Sequence, residues 1–128
     1  MIPELLRFAV VGAVGFLVNA IAVTAASYVV DLYTTGAIGW LVAVTATWYL
    51  NRNWTFRRAQ KRGAGTEWVK FVCANSAGFM AYLAAYSAAI AWCSVCGRWP
   101  VRAVALGSLA GLCINFALSR ELVFTSRY

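Results

Sequence analysis

The chain has 128 residues, of which 62% are hydrophobic and 12% charged, against roughly 45–50% and about 25% in soluble globular proteins. Eleven basic and four acidic side chains give a net charge of +7, and there is no histidine. That balance, with the charges gathered between long uncharged runs, excludes a soluble enzyme, a nucleic-acid binder and a disordered tail.

Residues 8–30, 32–51, 71–97 and 103–119 carry no charge, giving runs of 23, 20, 27 and 17 residues. A helix needs about 20 apolar residues to cross a hydrocarbon core of roughly 30 Å. The expected architecture is an all-α membrane protein with four transmembrane helices, at about 6–30, 36–56, 69–95 and 101–121, forming one domain over residues 1–128. The first run is too long for a signal-peptide core and lacks a small-residue cleavage site before the next apolar span. Residues 31–36 form a short turn, residues 57–68 a basic loop, and residues 96–100 the third connection, where Pro100 suits a helix start.

Short loops rich in Lys and Arg stay in the cytoplasm. Arg7, Arg52, Arg57, Arg58, Lys61, Arg62, Lys70, Arg120 and Arg127 fall on one side of a four-span arrangement, and only Arg98 and Arg102 on the other. Both termini and the basic loop are therefore expected to be cytoplasmic. Trp54 and Trp68 fall at that interface, and Trp40, Trp92 and Trp99 at the outer one, where amphipathic rings anchor helices.

The two halves resemble one another. Arg7-Phe8 and Lys70-Phe71 open the first and third helices, and Gly15-Phe16 and Gly78-Phe79 follow at the same offset of 63 residues. The second and fourth helices end in Asn51-Arg52-Asn53-Trp54-Thr55-Phe56 and Ser119-Arg120-Glu121-Leu122-Val123-Phe124. Each half holds two spans, so the halves enter the membrane in the same direction, as parallel two-helix repeats. Gly12 and Gly15, Ala74 and Gly78, and Gly107 and Gly111 are small residues that let helix backbones approach. They serve packing within the chain or a homodimer seam.

The acids Glu4, Asp31, Glu67 and Glu121 lie at or outside the ends of the apolar runs. No carboxylate or imidazole remains within a span as a general base, proton relay or metal ligand. Cys93 and Cys96 have CxxC spacing but no second pair or histidine to complete a zinc site. Catalytic residues, metal and cofactor are accordingly expected to be none.

Polar groups do gather at one depth. Asn51 adjoins Arg52, Asn75 lies five residues inside Lys70, and Asn115 lies five before Arg120, a separation of about 7–8 Å along a helix. Arg7, Arg52, Lys70 and Arg120 thus ring the cytoplasmic mouth, with asparagines at or just beneath it. Asn19 is deeper, about 18 Å from Arg7. An amide in hydrocarbon must find a partner, either across helices or on a ligand. Four cations with amide donors, and no carboxylate in the spans, match a phosphate-bearing lipid headgroup through charge-assisted contacts to arginine. Trp48, more than a turn inside the second helix, and Tyr49 either stack on a bound headgroup or fill the bundle.

These residues resemble the GtrA-like family of small four-span membrane proteins of cell-surface polysaccharide synthesis. The resemblance spans essentially the whole chain. It rests on Arg7-Phe8-x-x-x-Gly12, Asn51-Arg52-x-Trp54-Thr55-Phe56, Lys70-Phe71, and Asn115-Phe116-x-x-Ser119-Arg120-x-x-Val123-Phe124. The second half departs from the first in carrying Asn75 where Gly12 stands.

The resemblance implies an integral protein of a bacterial or archaeal inner membrane that moves a polyprenyl-phosphate-linked sugar from the cytoplasmic to the outer leaflet. Arg52 and Arg120, helped by Arg7 and Lys70, would hold the phosphate. Asn19, Asn51, Asn75 and Asn115 would meet sugar hydroxyls or phosphate oxygens. The alternative is a membrane anchor or accessory subunit for a polyprenyl-phosphate glycosyltransferase, docked through the basic loop. A small multidrug exporter is disfavoured, because such exporters use a carboxylate inside the first helix and none stands between Arg7 and Asp31.

Overall fold

The computed structural model describes residues 1–59, 63–94 and 100–124, and its described elements are all helical. Four α-helices follow in chain order: α1 (Ile2–Ala26), α2 (Leu32–Leu50), α3 (Ala64–Trp92) and α4 (Pro100–Leu118). A five-residue π-helical segment continues α2 over Asn51–Thr55, and another continues α4 over Ser119–Val123. Lys61, Arg62, Cys96, Arg98, Trp99 and Arg127, which the sequence reading assigns to connections and the C-terminal tail, lie outside the described residues.

The helix boundaries differ from the charge-free runs for local reasons. α1 starts at Ile2 because Pro3 sits in the first turn, where its missing N–H costs nothing, with Glu4 favourable at the positive helix end. It stops at Ala26, before the expected residue 30, where Thr24 and Ser27 turn their hydroxyls back onto the carbonyls of Ala20 and Thr24 at 2.8 and 2.7 Å. α2 starts at Leu32 rather than 36 because Asp31 caps it. One carboxylate oxygen accepts from the N–H groups of Tyr33 (3.0 Å) and Thr34 (3.1 Å), and the other accepts from the Thr34 hydroxyl (2.5 Å). The hydrogen-bonded cap outweighs Gly36, which is carried inside the helix. α3 starts at Ala64, so the basic connection is shorter than the expected 57–68.

The chain divides into two compact units, Met1–Trp68 with Phe124, and Val69–Val123. In the first, α1 packs on α2. Its buried face is Phe8, Val11 and Gly15, spaced three and four residues apart as one face of a helix requires. Gly15 faces the Thr47 side chain, and Gly39 faces Val23 and Asn19, both so closely that a β-carbon would collide. Gly12 meets nothing within 4 Å. The expectation that it permits close backbone approach is therefore corrected: it lies off the face that Gly15 shares with Val11.

In the second unit α3 meets α4 through the same kind of contact. Gly78 faces the Asn115 carboxamide, Gly107 faces the ring and carbonyl of Tyr82, and Gly111 comes within 3.0 Å of the Gly78 carbonyl, measured from where its β-carbon would stand. At offsets of 63 residues for the first helix of each unit and 68 for the second, Gly15–Thr47 answers to Gly78–Asn115, and Gly39–Asn19 to Gly107–Tyr82. Leu32–Thr55 and Pro100–Val123 run through the same α-then-π course.

Polarity is distributed as lipid requires. Buried side chains include Thr35, Asn51, Thr55, Glu67 and Ser119, while Phe16 and Ile21 on α1 are 71% and 70% exposed. Water would penalise that arrangement, whereas hydrocarbon favours it by solvating the apolar exterior and driving polar groups inward. Among the described residues, Ile2–Ala26 and Arg102–Val123 are long and apolar enough to cross a membrane.

Candidate functional site

The first unit contains a charged seam where α2 passes into its π segment. The segment closes with the Phe56 N–H donating to the Asn51 carbonyl at 2.8 Å, five residues back. Such wide turns concentrate at functional sites. Both ends of this one turn inward: Asn51 is 1% and Thr55 3% exposed. Between them, Nη1 of Arg52 lies 3.2 Å from Oε2 of Glu67, with side-chain exposures of 16% and 2%. The guanidinium also sits 5.5 Å from the ring centre of Trp48, one turn back along α2, at cation–π distance. Trp68, next to Glu67, donates its indole N–H to the Thr45 hydroxyl at 3.1 Å, tying the start of α3 to α2.

Glu67 is the residue that reading charge-free runs leaves out of the site. It lies outside an apolar run, yet it is buried and neutralises Arg52. A signal for it exists in the sequence: Glu67 stands three residues before Lys70-Phe71 as Glu4 stands three before Arg7-Phe8.

Arg7 lies 5.9 Å from the Trp54 ring centre. Phe8 meets Phe56 edge-on at 6.1 Å, and Phe56 stacks on Phe124 at 4.9 Å, an aromatic cluster that fixes the π segment against α1. Tyr49 is 61% exposed and Trp48 is half-buried. Asn19 packs against Gly39. The Oδ1 atoms of Asn19 and Asn51, Oγ1 of Thr55 and Nε1 of Trp48 are buried without a hydrogen-bond partner among the described residues. Each is a desolvated polar group that a ligand or water would satisfy.

The second unit holds the remaining candidates. Asn75 donates through Nδ2 to the Phe71 carbonyl at 3.0 Å, within α3. Asn115 packs on Gly78, and its Oδ1 is buried without a partner among the described residues, as is Oγ of Ser119. Lys70 is half-buried. Arg120 lies 3.7 Å from Glu121, in a pair with exposures of 39% and 70%. Arg52 is thus paired with a buried carboxylate from the start of α3, and Arg120 stands beside its exposed neighbour Glu121.

Helical pairs with an apolar exterior, glycine-mediated contacts and a buried charged seam define a small α-helical membrane protein. Residues 7–124 match the family described as GtrA/DPMS, transmembrane domain, and the chain belongs to that family. It is an integral membrane protein. No match is found among curated proteins.

Proposed function

We propose that the protein moves a polyprenyl-phosphate-linked sugar from the cytoplasmic to the outer leaflet of a bacterial or archaeal cell membrane. Membership of the GtrA/DPMS family supports a role in handling such lipids. The observation that carries the reading is the buried Arg52–Glu67 pair, set beside the unpartnered amide oxygen of Asn51. A carrier must hold an anionic headgroup and then release it. An arginine left bare between loads would carry a large desolvation cost. Glu67 removes that cost in the empty state, and a phosphate takes its place by the same charge-assisted bonding.

In this reading Arg52 exchanges Glu67 for phosphate, and Arg120, Arg7 and Lys70 add positive charge at the cytoplasmic face. Asn19, Asn51, Asn75 and Asn115 supply amide contacts to hydroxyls and phosphate oxygens. Trp48 keeps the guanidinium in plane during the exchange, and the polyprenyl chain stays in lipid. The partners are the lipid-linked sugar and the surrounding membrane lipids, with a homodimer or a membrane glycosyltransferase as a further protein partner.

The test is leaflet exchange of a polyprenyl-phosphate sugar in liposomes carrying the purified protein. Exchange is expected with the wild type and lost with Arg52→Ala, and Glu67→Gln is expected to tighten headgroup binding while slowing release. Exchange that persists in Arg52→Ala removes the assigned role. Binding without exchange, for the wild type, points to the glycosyltransferase-anchor reading instead.

A further inference from the structure

We propose that a second anion site, specific for a phosphate group, lies in the cleft between the first turn of α1 and the turn that follows the π segment of α2. The cleft has a volume of about 250 Å³, against roughly 30 Å³ for one water in the liquid. Glu4, Arg7, Thr55, Phe56, Arg57 and Arg58 line it. It goes beyond the translocation reading, which gives Arg57 and Arg58 no part, and shares with it only Arg7.

Charge, hydrogen-bonding capacity and rigidity all favour phosphate there. Three guanidinium groups against one carboxylate leave the cleft positive. Guanidinium forks match phosphate oxygens in pairs, which a point charge does not. The first turn of α1 adds the positive end of the helix dipole from the same wall.

Thr55 supplies the independent observation. It is 3% exposed, lines the cleft, and its hydroxyl oxygen has no hydrogen-bond partner among the described residues. A buried hydroxyl in that state costs free energy, and a turn of the Thr55 side chain toward the cleft lets it donate to an acceptor oxygen of a ligand and recover that cost.

The walls are set before any ligand arrives. Phe56 is locked between Phe8 and Phe124, Arg7 is held near the Trp54 ring, and the turn beyond is closed by the Ala59 N–H donating to the Phe56 carbonyl at 2.9 Å. A preorganised cleft avoids ordering cost on binding. Arg57 and Arg58 are exposed, so the phosphate arrives from water or from a headgroup at the membrane surface.

The experiment uses the purified full chain in nanodiscs. Inorganic pyrophosphate is titrated calorimetrically into phosphatidylcholine discs, and retention of phosphatidic acid over phosphatidylcholine is measured by mass spectrometry. Binding of either probe is expected, weakened at least tenfold by Arg57→Gln/Arg58→Gln and several-fold by Thr55→Val. The second variant removes no charge, so it separates a built site from diffuse attraction. Arg52→Gln, which removes phosphate binding at the translocation site, should retain probe binding at the cleft. That retained binding should still weaken when Arg57→Gln/Arg58→Gln or Thr55→Val is added, which keeps the two sites distinguishable.

Pyrophosphate binding marks a soluble phosphate ligand, and selective retention of phosphatidic acid alone marks a lipid headgroup. Either outcome supports the site when it weakens in both variants. Absence of binding by the wild type, or wild-type affinity retained by either Thr55→Val or the double arginine variant, overturns it.

Discussion

Arg52 and Glu67 meet at 3.2 Å with only 2% of the Glu67 side chain exposed, although one closes α2 and the other opens α3. Removing a single partner of such a pair leaves a buried charge uncompensated, at a cost of roughly 3–5 kcal/mol. Trp48 offsets part of this for Arg52 through its cation–π contact. Glu67→Gln should therefore lower the thermal unfolding midpoint in detergent markedly, and Arg52→Met/Glu67→Met should recover most of the loss. A double variant as unstable as the single one would show that the pair is not what Glu67 contributes.

The glycines on the helix contacts should not be interchangeable with those off them. A β-carbon on Gly107 would stand 2.8 Å from the Tyr82 ring and 2.9 Å from its carbonyl oxygen. Because backbone cannot swing aside as a side chain can, Gly107→Ala should destabilise by about 1–3 kcal/mol, the usual range for overpacking. Gly12→Ala meets no neighbour and should gain up to ~1 kcal/mol from helix propensity. Parallel melting curves of the two variants provide the comparison.

Asp31 gives the turn between α1 and α2 an acid-sensitive cap. Hydrogen bonds from the Thr34 hydroxyl and backbone, with the Tyr33 N–H, hold its carboxyl below the ordinary value of 3.8. A folded pKa lowered in this way contributes stability that is fully present above the unfolded value and lost as pH falls through the folded one. The loss should therefore begin near pH 4 and continue below it. Asp31→Asn keeps a capping oxygen without the titration, so its unfolding midpoint should vary less over that range. Identical pH profiles would remove the cap from the account.

Orientation can be read directly. The excess of Lys and Arg near the N-terminus, after α2 and at the end of α4 predicts that reporters fused to either terminus act only in the cytoplasm. Neutralising Arg57 and Arg58 together should produce a mixed population rather than a clean reversal, because Arg7, Arg52, Lys70 and Arg120 remain. Single-sided labelling of cysteines placed at either terminus, in intact cells, measures the fraction in each orientation.

Much was legible in the sequence because membrane insertion reads averages along the chain. Charge-free runs located the helices, and the Arg-Phe and Asn-Arg-x-Trp-Thr-Phe signatures carried the family resemblance. The shared offset of Gly15 and Gly78 pointed to faces that do meet a partner helix, Gly15 against Thr47 and Gly78 against Asn115. Local chemistry moved the boundaries: Asp31 starts α2 earlier than hydropathy does, since a cap is a hydrogen-bond geometry and leaves no trace in an apolar run.

Tertiary structure alone decided which polar groups share a seam. Glu67 falls outside the apolar runs, at the end of the basic loop, and only folding brings it to Arg52. Thr55 and Arg57 looked like the end of a helix and a topology signal, and only the turn beyond the π segment places them in one cleft with Arg7. The physical reason is range. Hydrophobicity and charge counts act locally and add along the chain, whereas an ion pair or an unmet hydroxyl depends on which distant side chains arrive, and in which direction they point.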